Sequence, residues 1–122
     1  MIDLTIDITA VRRTITDFIR EQLRQAGYTR GVINLSGGID SALACTLAAE
    51  ALGPQNVLAI RLPYRDSSPD SLAHAQLVID RSGVQSITYR ITPVVAPLFK
   101  SFPEMDKVRR GNILARARMI VL

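Results

Sequence analysis

The hexapeptide Ser36-Gly37-Gly38-Ile39-Asp40-Ser41 concentrates residue types that handle phosphate. Two adjacent glycines let the backbone approach an anion with no Cβ in the way, and they permit positive φ. Where a helix begins at such a turn, its first amides lack intrahelical acceptors and its dipole presents positive charge to the anion. Ser36 and Ser41 can add hydroxyl donors. Asp40 is the odd member, because a carboxylate repels a phosphate unless a cation stands between them. Mg²⁺ removes that conflict by taking carboxylate and phosphate oxygens together. The loop has no lysine of the kind a Walker A loop carries, which excludes a kinase or GTPase of that type. A plainer reading competes: Gly37-Gly38 as a tight strand-to-helix turn, with Asp40 favoured by the helix dipole. The complete hexapeptide between a strand and a helix favours phosphate binding over that reading.

The flanking sequence supplies the strand and the helix. Gly31 to Leu35 reads as a short apolar strand, and Asp40 to Leu52 as a helix apolar on nearly every face and therefore expected to be buried. Gly53-Pro54 stops that helix. Upstream, Ile8, Val11, Ile15, Phe18, Ile19, Leu23 and Ala26 recur at helical spacing, which predicts an amphipathic helix from about Thr9 to Ala26, ended by Gly27. Val57 to Leu62 reads as a second strand. Ser68-Pro69-Asp70 reads as a helix start, with a capping serine, proline at the first helical position and an acid against the positive helix end. That helix is expected to run to Ser82 and close at Gly83. Ser86 to Ile91 reads as a third strand, Thr92-Pro93 opens a short helix to about Lys100, Ser101 to Arg110 reads as a loop, and Asn112 to Leu122 returns to helical spacing. The alternation of strand and helix implies an α/β fold: a Rossmann-like parallel sheet flanked by helices, with right-handed crossovers. Ligands in such sheets sit beyond the carboxyl ends of the strands. Ser36–Ser41 and the segment after Leu62 therefore fall on the same rim.

Composition narrows the class. The 122 residues suffice for one domain, and 48% apolar with 21% charged residues is a globular balance. A formal charge of +4 suits an anionic ligand such as a nucleotide. The basic residues are scattered rather than clustered with aromatics, so no nucleic-acid partner is expected. No apolar run reaches membrane-spanning length, and Met1-Ile2-Asp3-Leu4 lacks the basic start of a signal peptide. The single cysteine, Cys45, rules out an intrachain disulfide and points to a reducing, cytoplasmic setting. Cys45 itself reads as packing, and His74 as surface decoration. Asp66 and Asp70 read as loop solvation and helix capping before any role beside the ligand.

The hexapeptide resembles the signature of the ATP pyrophosphatase family, whose members adenylate a substrate and release pyrophosphate. Two further segments resemble the NAD synthetases within it. One is Gly111-Asn112-Ile113-Leu114-Ala115-Arg116-Ala117-Arg118-Met119; the other is Leu62-Pro63-Tyr64-Arg65 with Ser67-Ser68-Pro69. The resemblance runs from about Val32 to Leu122. It implies that residues 1–122 form the N-terminal part of a single doubly wound ATP pyrophosphatase domain. It also implies ATP and deamido-NAD as substrates, ammonia as nitrogen source, Mg²⁺ as cofactor, and a ligase that makes NAD through an acyl-adenylate. By motif position, Asn34, Leu35, Ser36, Gly37, Gly38, Ile39, Asp40 and Ser41 would line the ATP phosphates. Asp40 would ligate Mg²⁺, Arg61 and Leu62 would border the adenine, and Arg116 would hold deamido-NAD. Arg116 and Arg118 lie two apart and do not share a helix face; the family pattern selects Arg116. Asn34 departs from the glycine common at that position, on the strand side of the loop. The same resemblance implies a homodimer and leaves room for a separate glutaminase. Members are roughly twice as long, so the chain is expected to be a partial form with little or no synthetase activity of its own. Two alternatives stand: another adenylating ligase of the superfamily, and a non-catalytic ATP-binding module.

Overall fold

The computed structural model describes residues 1–65 and 67–122. Asp66, considered above as a group near the rim, lies outside the described residues. Three parallel strands form one sheet in the order β1 (Gly31–Asn34), β2 (Val57–Arg61), β3 (Gln85–Thr88). Gly31 pairs with Val57 and Leu58 with Gln85, so the central strand is bonded on both sides.

Alternation along β2 decides which helices cover which face. Val57 and Ala59 point to one face, where they join Cys45, Ala49, Ala75 and Ile79 of α2 (Ile39–Leu52) and α3 (Pro69–Ser82). Leu58 and Ile60 point to the other face, where Leu114 and Val121 of α5 (Lys107–Val121) meet them. A strand covered on both faces carries a continuous apolar run, as Val57–Ile60 does. α4 (Thr92–Ser101) completes the second layer through Val95 and Phe99, which pack on Ala117 of α5. α1 (Ile8–Gln25) lies outside the first layer, where the Arg12 guanidinium binds the Glu50 carboxylate of α2 at 2.8 Å. This is the expected α/β architecture: a parallel sheet flanked by helices.

Local chemistry sets the helix starts. Ser68 accepts from the Asp70 amide with Pro69 at the first helical position, and Gly83 closes α3 in the left-handed region at φ +70°. Asp7 caps α1 and Asp106 caps α5, each accepting an amide three residues on. The Asp106 cap corrects the sequence reading at one point: helix begins at Lys107, inside the stretch expected to be loop. β3 ends at Thr88 rather than Ile91, yet the pairing continues in looser form. The Tyr89 amide donates to the Arg61 carbonyl at 2.9 Å, and the Ile91 amide to the Pro63 carbonyl at 3.1 Å. The helix after the glycine loop also differs from expectation. Cys45, Ala49 and Ala51 of α2 are buried, but Ile39 is 83% and Leu43 59% exposed. Being apolar all round does not bury this helix, because only one side of it meets the sheet and its neighbours.

Candidate functional site

The chain leaves β1 at Asn34 and reaches buried Leu35, whose amide donates to the Ile60 carbonyl at 2.9 Å and ties the loop's base to β2. The loop is held by its own serines. The Ser36 amide donates to Ser41 Oγ at 3.2 Å, the two hydroxyls lie 2.9 Å apart, and Ser41 Oγ donates to the Gly38 carbonyl at 3.0 Å. The Gly38 amide in turn donates to Ser36 Oγ at 3.3 Å. The hydroxyls expected to face the anion are thus engaged in shaping the turn. What the loop offers an anion is backbone: Gly38 caps α2 without a side chain, so the amides of Ile39, Asp40 and Ser41 have no intrahelical acceptor.

The two glycines differ. Gly37 sits at φ +89°, and a Cβ there would stand 2.2 Å from the Ser71 carbonyl oxygen. Gly38 is extended at φ −83°, and a Cβ would meet nothing nearer than Ser36 Oγ at 3.5 Å. Gly37 is therefore the position where the loop presses on the first turn of α3. The amino ends of α2 and α3 converge there, which concentrates positive helix dipole at one place.

A cavity of about 220 Å³ opens beyond the carboxyl ends of β1 and β2. Its walls include Asn34, Leu35, Ser36, Arg61, Leu62 and Arg118. Of the ten residues expected at ATP, these bring together Asn34, Leu35, Ser36, Arg61 and Leu62. Gly37, Gly38, Ile39, Asp40 and Ser41 do not line the cavity; they form the adjoining turn and helix start. Asp40 is exposed there, and among the described residues no group of three metal-ligating side chains surrounds it.

Two guanidiniums and no carboxylate line the cavity among the described residues. Arg61 donates from Nη1 to Gln76 Oε1 at 2.7 Å, and Gln76 donates to Asp80 Oδ1 at 2.8 Å. Its Nε is buried with no partner among the described residues, a cost that an acceptor on a ligand would offset. Arg118 donates from Nε to the Leu62 carbonyl at 3.1 Å, and burial pulls its pKa below the usual guanidinium range.

Arg118 is not among the residues the sequence leads one to expect here, yet it lines the cavity. Arg116 is exposed and lines neither this cavity nor the neighbouring cleft. Of the two arginines, Arg118 faces the site built by the loop. The signal was in the sequence: Leu114, Ala117 and Val121 mark the packed stripe of α5, and Arg118 falls within it at i, i+3, i+4, i+7 spacing. Asp70 stands at the start of α3, and His74 is exposed on it, as expected.

Comparison with known proteins identifies the family. The sequence profile of the NAD synthase family matches residues 11–122. The NH(3)-dependent NAD(+) synthetase of Trichlorobacter lovleyi is 52% identical over 119 residues, covering 98% of this chain and 44% of the relative. Among solved structures, the NH3-dependent NAD synthetase of Campylobacter jejuni superposes with a TM-score of 0.89 at 30% identity, covering 97% of this chain and 51% of that one. The glutamine-dependent NAD+ synthetase of Acinetobacter baumannii, solved with ADP, gives 0.89 at 26% identity over all of this chain and 24% of that one. The chain spans less than half the length of the curated relative. With the glycine loop, the second-strand segment and the α5 motif meeting at one end of an ATP pyrophosphatase-type sheet, the chain belongs to the NAD synthase family.

Proposed function

We propose that the protein carrying this chain makes NAD from deamido-NAD, ATP and ammonia through an acyl-adenylate, and that this chain supplies the ATP site. One observation carries the reading: a cavity beyond the ends of β1 and β2, next to a bare helix start and lined by two guanidiniums with no carboxylate among the described residues. An oxygen of the nicotinic acid carboxylate attacks the α-phosphorus of ATP. The bond from that phosphorus to the bridging oxygen breaks, and pyrophosphate leaves with the electron pair. Ammonia then attacks the acyl carbon, AMP departs, and the nitrogen gives up a proton.

The amides at the start of α2 hold the departing pyrophosphate. Residues Asn34–Ser41 flank the phosphates, Arg61 and Leu62 border the adenine, and Arg116 holds deamido-NAD. Asp40 suits Mg²⁺, since that ion uses one or two carboxylates and completes its shell with phosphate oxygens and water. Bound there, Mg²⁺ would neutralise phosphate charge. The proposed setting is a cytoplasmic homodimer using free ammonia, with a separate glutaminase as the other nitrogen source.

The test is substrate dependence. AMP release from ATP should require deamido-NAD and ammonia. Release that instead requires xanthosine monophosphate or tRNA would assign the site to another adenylating ligase. ATP binding without turnover would make it a binding module.

A further inference from the structure

A second cleft of about 400 Å³ lies beside the first, lined by Tyr64, Ser67, Phe99, Lys107, Arg110 and Arg118 among others. It shares two residues with the first cavity, Ser67 and Arg118. Arg110 is committed to structure: it stacks 5.1 Å from the Phe99 ring centroid and donates to the Met105 and Pro103 carbonyls. Arg118 is different. Its Nε is fixed by the Leu62 carbonyl, and its four terminal N–H groups have no partner among the described residues. A guanidinium anchored at one nitrogen keeps a planar face of donors in a set direction and needs little further ordering to bind an anion.

We infer that Arg118 is a catalytic residue that grips the α-phosphate of ATP from the wall between the two spaces. The inference rests on the proposed reading of the site. On that reading the helix start at Ile39 takes the outer phosphates and Leu62 borders the base, so a cation anchored on the Leu62 carbonyl in the same cavity as Ser36 meets the phosphate next to the base. The second cleft, which Lys107 also lines, admits the carboxylate end of deamido-NAD toward the same phosphorus, with Arg116 left to hold a part of that substrate outside the cleft. As the carboxylate oxygen bonds to phosphorus and pyrophosphate leaves, negative charge on the non-bridging oxygens faces the guanidinium. No proton moves in this step.

The whole protein, titrated with ATP, AMP and adenosine, tests the contact. Arg118→Gln should weaken AMP and ATP binding about tenfold, the worth of a charge-assisted contact, and leave adenosine binding within about twofold. Arg118→Lys keeps a charge without the fork, so it should lose less for AMP and nothing for adenosine. It also serves where the glutamine variant does not fold. Equal losses for AMP and adenosine would mean that Arg118 only buttresses Leu62, and would overturn the inference. Unchanged AMP binding would overturn it too. A deamido-NAD requirement is not involved in these titrations, so failure of the functional reading shows separately, as AMP release that ignores deamido-NAD.

Discussion

Replacing Gly37 with alanine tests how the loop is held. The backbone there is at φ +89°, where a non-glycine residue costs about 1–2 kcal/mol. The added Cβ would also stand 2.2 Å from the Ser71 oxygen, 2.7 Å from its Cα and 2.8 Å from its carbonyl carbon. All three are backbone atoms in the first turn of α3, so no side chain can swing aside. Overpacking of this kind costs roughly 1–3 kcal/mol. The sum is about 2–5 kcal/mol, or a loop displaced from α3 with its amides no longer aimed together. Urea denaturation should show the Gly37→Ala midpoint falling by about 1 M or more, and titration with pyrophosphate should show weakened binding. Gly38→Ala is the control. Its extended backbone and open surroundings predict a change of no more than about 1 kcal/mol. A Gly37→Ala protein with the parent's midpoint and pyrophosphate affinity would refute the close approach as the reason for that glycine.

Other expectations follow from single residues. Asp40→Asn should abolish the strengthening of ATP binding by Mg²⁺ in a titration with and without the ion; an unchanged Mg²⁺ effect would remove Asp40 from the metal site. Cys45 is buried and burial raises its thiol pKa, so a disulfide reagent at pH 8 should react slowly with the native protein and promptly in urea. Rapid native labelling would contradict that placement. Hydrogen bonds from Arg24 and then Gln25 lower the Glu21 carboxyl from 4.5 to about 2. A depressed carboxylate pKa stabilises the fold above the unfolded value and loses that contribution as pH falls from 4.5 toward 2. NMR titration should place the Glu21 midpoint near the lower value, whereas an ordinary midpoint would mean the pairing does not persist in solution.

The sequence made the site's backbone legible because the determinants there are local. Ser68-Pro69-Asp70 caps a helix, Gly83 ends it, and the apolar run Val57–Ile60 makes a strand, each through neighbours in the chain. The glycine loop at the end of β1 could be placed for the same reason. Side-chain direction was less legible. Ser36 and Ser41 look like ligand donors by type, but their spacing lets them bond each other across the turn. Gly37 and Gly38 look alike in sequence; only the approach of α3, thirty-odd residues later in the chain, separates them. The start of α5 is set by the Asp106 side chain accepting the Arg109 amide, a cap that helical spacing of apolar residues does not mark. Arg118 falls on the packed stripe with Leu114, Ala117 and Val121, a position that the family pattern, which points to Arg116 for deamido-NAD, does not bring out. Its anchor on Leu62, 56 positions away, exists only in the folded chain.

Isotope exchange between ATP and pyrophosphate reads the adenylation step itself. With labelled pyrophosphate, ATP, Mg²⁺ and no ammonia, the protein carrying this chain should return label to ATP only when deamido-NAD is present. Gly37→Ala should suppress that exchange. Label entering ATP without deamido-NAD, or with xanthosine monophosphate in its place, would contradict the assignment of this loop to the pyrophosphate of an NAD-forming adenylation.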